Sequence, residues 1–88
     1  MSHENETLRW PTDLDRTAIV QRLAKVRAMA GEAGLDEIAA RFAEVENMSS
    51  AQIGANVVGA LTWIQEKPQY EEITAQLAMV AMNLKNLK

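Results

Sequence analysis

The sequence predicts an all-α fold, a small antiparallel bundle of about four helices that dimerises. Three observations lead there. Apolar residues recur three and four apart in four successive segments, capping residues, glycines and a proline fall between those segments, and no alternating strand pattern competes. With 88 residues the chain has room for one core. The expected organisation is a mobile N-terminal arm over residues 1–11 and a single helical-bundle domain over 12–88.

The arm is short on apolar residues and ends at Trp10-Pro11, where proline holds the residue before it extended. Thr12 and Asp13 then suit the cap of a first helix, whose face is Ile19, Leu23, Val26 and Ala30. Gly31 and Gly34 supply its stop, because glycine closes a helix in the left-handed region without a Cβ penalty.

Leu35, Ile38, Phe42 and Val45 place a second helix up to about Asn47, with Asp36 and Glu37 at its positive end. Ser49 and Gln52 have the spacing of a capping box and start a third helix, which carries Ile53, Val57, Leu61 and Ile64 and continues to Lys67. Pro68 opens a fourth. Its stripe of Tyr70, Ile73, Leu77, Val80, Leu84 and Leu87 alternates by three and four, as knobs packing into holes require.

Composition narrows the chemistry. Without cysteine there are no disulfides, thiolate ligands or thiol nucleophiles. The lone His3 sits with Glu4 and Glu6 on the arm, one imidazole and two carboxylates that a mobile segment does not preorganise, so no metal and no cofactor are expected. Glu44-Glu46 and Glu71-Glu72 read as solvated helix surface, not as an acid and base pair in an apolar pocket. The four glycines match neither phosphate-binding fingerprint. No catalytic set emerges, and the chain is expected not to be an enzyme. A polar start and the lack of a run of about 20 apolar residues predict a cytoplasmic protein off the membrane.

Leu35 to Phe42 resembles the first helix of many repressor helix-turn-helix domains, which would make Met48 to Leu61 the recognition helix. Such a helix reads base edges with Arg, Lys, Asn or Gln, and Gln52 and Asn56 are the only readers it offers. A net charge of −3 adds no general pull toward phosphate. Arg16, Arg22, Lys25 and Arg27 bracket the core stripe of the first helix from both sides and make no concentrated basic face.

What exceeds background is a second apolar face. Ala51, Ala55, Val58 and Thr62 lie opposite the third helix's core stripe, with Gly59 between, and Met79 and Met82 extend the excess to the fourth. Two-sided internal packing with Ala and Met as fillers would account for it. A partner surface is the sharper account, with Trp63 as an aromatic anchor and a homodimer as the simplest occupant. The expectation is a non-enzymatic protein-interaction module, a small adaptor or regulatory subunit. A degenerate helix-turn-helix regulator and an accessory subunit of an enzyme are the alternatives.

Overall fold

The computed structural model describes residues 14–87. Among these residues four α-helices follow in chain order: α1 (Arg16–Ala33), α2 (Asp36–Arg41), α3 (Ser50–Ile64) and α4 (Glu71–Met82). Short 3-10 turns at Val45–Asn47, Pro68–Tyr70 and Leu84–Leu87 join or end them, and no strand occurs among the described residues. The expected arm, with His3 and Trp10, lies outside these residues.

The caps expected for the first helix at Thr12 and Asp13 lie outside the described residues. Asp15 is its cap, accepting the Ala18 amide at 2.9 Å. Ile19, Leu23, Val26 and Ala30 are all buried, as their spacing predicts. Of the two expected stops only Gly34 acts: its φ is 77°, and the Leu35 amide donates back to the Ala30 carbonyl at 2.8 Å. Gly31 lies inside the helix.

The expected second helix to Asn47 is corrected. α2 ends at Arg41, and the reason is Arg27 on α1. Its Nη1 donates to the carbonyls of Phe42 and Ala43, both at 3.1 Å, and its guanidinium grips Glu46 with two bonds of 3.2 and 3.1 Å. Beside its bond from Arg27 the Phe42 carbonyl accepts the Val45 amide at 3.2 Å, three residues on, so the turn that Arg27 holds closes in tighter bonds than an α-helix makes. The chain then tightens, and Phe42 and Val45, three apart, stay buried through the turn.

The capping box forms as predicted, with the Gln52 amide 3.2 Å from Ser49 Oγ and the Ser49 amide 2.8 Å from Gln52 Oε1. α3 buries Ile53, Val57, Ala60 and Ile64, while Leu61 is half-buried, and it stops at Ile64, short of Lys67. Pro68 opens a 3-10 turn, and the α-helix proper begins at Glu71. Ile73, Leu77 and Val80 are buried, but the stripe expected to run unbroken to Leu87 is interrupted. After Met82 the chain tightens into the last 3-10 turn, burying Asn83 fully and leaving Leu84 half-buried.

α4 packs against both α1 and α3, and α1 packs against α2. At one end Arg16 donates to Ser50 Oγ at 3.1 Å and to the Met48 carbonyl, and the Ser50 hydroxyl donates to the Leu87 carbonyl. The start of α1, the start of α3 and the end of the chain's last turn therefore share that end. No helix among the described residues is long and apolar enough to cross a membrane.

Candidate functional site

The uncharged stretches of α3 and α4 define the surface of interest. No residue from Ala51 to Gln65 is charged, and none from Ile73 to Leu84. Half of each helix is committed to the core. At about 100° per residue, Ala51, Val58, Thr62 and Ala55 fall on the face of α3 turned directly away from Ile53, Val57, Ala60 and Ile64. All four are exposed, Val58 at 57%. On α4 the same geometry sets Met82 opposite the Ile73, Leu77 and Val80 stripe, and it is 47% exposed. These two are the large hydrophobic side chains that the described residues leave most open to water.

The polar groups on this surface are quiet. Thr62 Oγ1 donates to the Val58 carbonyl at 2.9 Å, so its hydroxyl is turned to its own helix. Asn56 does likewise to the Gln52 carbonyl at 2.9 Å. At the α3 start an open groove of about 370 Å³ is lined by Ser50, Ala51, Gly54, Leu84, Lys85 and Leu87. Its walls are mostly apolar, and Lys85 is its one charge.

Three of the expected interface residues are placed elsewhere. Gly59 lies on the flank of α3 toward α2, where it makes room for Arg41: a Cβ there would lie 2.6 Å from Arg41 Nη1. Arg41 in turn pairs with Glu37 at 3.3 Å. Trp63 is half-buried against the core, with Lys67 Nζ 4.2 Å from its ring centre. Met79 is half-buried, and its carbonyl accepts a bond from Asn83. Ala51, Ala55, Val58 and Thr62 are thus brought together on one helix face, and Met82 lies on the outward side of the helix beside it.

The three arginines of α1 stitch helices together. Arg27 ties α1 to the turn after α2, Arg16 ties it to α3, and Arg22 donates to Gln76 Oε1 on α4 at 3.1 Å. Sequence spacing set them beside the core without showing their partners, which lie 15 to 54 residues away. Arg27 also holds the Glu46 carboxyl below its ordinary value through their hydrogen bonds. Glu44, Glu46, Glu71 and Glu72 are exposed. Among the described residues no three acidic, histidine or cysteine side chains gather as a metal site would need.

A second open groove, about 480 Å³, lies between α1 and the start of α4, with Lys25, Met29, Glu32, Tyr70, Glu72 and Ile73 among its lining. Its charges are of mixed sign, and its floor continues the hydrophobic core. No protein-family model, curated protein or solved structure matches the chain.

Proposed function

We propose that this chain is a non-enzymatic protein-interaction module, a small adaptor or regulatory subunit, that binds through the outward face of α3 and α4 and self-associates there. The observation that supports it is the exposure of Val58 and Met82 on a surface that carries no charge from Ala51 to Gln65 or from Ile73 to Leu84. Leaving apolar area of that kind in water is unfavourable by roughly 25 cal/mol per Å², and a partner recovers it. Small side chains at Ala51 and Ala55 let a second helix approach closely, and Met82 adapts to what it meets.

Ala55→Glu is the test. Ala55 is exposed, so the substitution leaves helix content and melting temperature nearly unchanged while introducing a charge into any contact made there. Light scattering across concentrations, together with co-purification from source cells, reads the outcome against Gln21→Glu on the exposed side of α1. If Ala55→Glu changes neither the mass nor the co-purifying proteins, the reading fails. Retention of duplex DNA that weakens steeply with salt would favour the helix-turn-helix alternative.

A further inference from the structure

We infer that a second copy of this chain covers this face, related by a two-fold axis near Val58 that runs the two α3 helices in opposite directions and sets Lys85 of each copy over Glu66 of the other. The inference rests on the interaction reading above and adds the orientation and register of the two copies. Its first support is the distribution of charge. Along α3 and α4 the surface is uncharged in the middle and charged only at its ends. Lys85 stands at one end, in the groove beside Ala51 and Gly54, and Glu66, Glu71 and Glu72 stand at the other with Lys67, whose ammonium lies over the Trp63 ring, so that end is acidic on balance. Lys85 and the three glutamates are exposed.

A copy laid on in the same direction would put Lys85 over Lys85 and glutamate over glutamate. Reversing it puts each Lys85 over carboxylates, so the face is complementary to itself in one orientation only.

Register gives the second support. Lys85 neighbours Ala51, and placing Ala51 over the second copy's Glu66 centres the crossing between Val58 and Gly59. Val58, the most exposed large apolar residue, then meets its own equivalent, and Ala55 lies over the second copy's Thr62. Charge pairing and apolar burial thus select the same register, although they come from different residues.

The chain contains no cysteine, which makes single-cysteine variants informative. Under mild oxidation Val58→Cys forms a covalent dimer, because the axis brings the two thiols together. Ala51→Cys alone does not, its two copies being about 22 Å apart along the helices, far beyond disulfide reach. Mixed with Glu66→Cys it forms the crossed dimer. Lys85→Glu raises the dimer dissociation constant by up to about thirtyfold, because the two-fold axis makes two such pairs and each exposed pair is worth at most about fivefold. Adding Glu66→Lys and Glu71→Lys to it restores the wild-type value to within about twofold. Self-linking of Ala51→Cys as readily as Val58→Cys overturns the orientation, and charge reversals whose effects simply accumulate overturn the pairing. A wild-type monomer at every concentration removes the second copy altogether, while the interaction reading stays decided by whether Ala55→Glu changes the co-purifying proteins.

Discussion

The backbone amide of Leu14 donates to Oδ1 of Asn83 at 3.0 Å, joining residues 69 apart in sequence. Asn83 is fully buried, and its Nδ2 donates to the Met79 carbonyl at 2.8 Å, one turn back along α4. Asn86 completes the junction by donating to the Leu14 carbonyl at 3.0 Å. One side chain therefore terminates α4 and anchors the approach to α1.

Asn83→Ala is expected to cost about 2 kcal/mol, since it leaves the Leu14 amide without its acceptor and opens space in a packed region. In a domain of this size that lowers the melting temperature by roughly 10 °C. Asn86→Ala, at an exposed position, is expected to cost less than about 1 kcal/mol. Thermal unfolding of both variants checks the contrast; equal losses would show that Asn83 has no special role.

Gly31 and Gly34 are predicted to respond to alanine with opposite signs. Gly31 lies inside α1 and a Cβ there meets nothing within 4 Å, so Gly31→Ala stabilises by about 0.5–1 kcal/mol. Gly34 has φ of 77°, a backbone conformation that L residues adopt at a cost, so Gly34→Ala destabilises by about 1 kcal/mol. Denaturant midpoints measure both. A loss at Gly31 would mean that the helix bends or is contacted there.

The Arg27–Glu46 pair makes an acid-sensitive contribution. The folded carboxyl lies below its ordinary 4.5 because Arg27 donates to it, so the folded protein binds the proton less readily than the unfolded chain. The pair's contribution is complete above that ordinary value and disappears as pH falls through the lowered one. Melting temperatures of the wild type and Glu46→Gln should differ at neutral pH and converge as pH falls through the lowered value. A gap that persists into acid would assign the effect to shape and not to charge. Arg27→Met should cost about 1 kcal/mol through the lost carbonyl bonds alone, at every pH.

The capping box provides a local test of α3. Ser49→Ala is expected to destabilise by about 1 kcal/mol, and Gln52→Ala by less, because Ser49 Oγ serves an amide inside the helix whereas Gln52 serves the amide of the cap itself. Unfolding curves that show no loss for Ser49→Ala would mean the helix start is held by Arg16 and Ser50 alone.

Where local chemistry decided the structure, the sequence was readable. The Ile19-to-Ala30 stripe, the Ser49/Gln52 box and the glycine after α1 each depend on neighbours within five residues, and each formed. The shortened α2 depends on Arg27, 15 residues from Phe42, and nothing in the Leu35-to-Asn47 segment opposes a longer helix. The buried Asn83 was equally hidden: it is off the apolar stripe, and its burial is supported by bonds that include one to Leu14, 69 residues away. For the candidate site, composition showed that α3 has a second apolar face. Exposure showed that Ala51, Ala55, Val58 and Thr62 are not covered by internal packing, whereas Gly59 and Trp63 are accounted for by Arg41 and Lys67.

The junction that holds Leu14, Ser50 and the Leu87 carbonyl at one end of the bundle separates the order of the helices in the chain from their order in space. Joining residue 87 to residue 14 through a short glycine linker, and opening new ends at the exposed Gln65-Glu66, would yield a permuted polypeptide that starts with α4 and finishes with α3. Every core contact between helices would survive. In such a molecule the two helices that carry the uncharged face would each end in a free terminus beside Glu66, so the same face could be displayed on a chain whose ends emerge at the opposite pole.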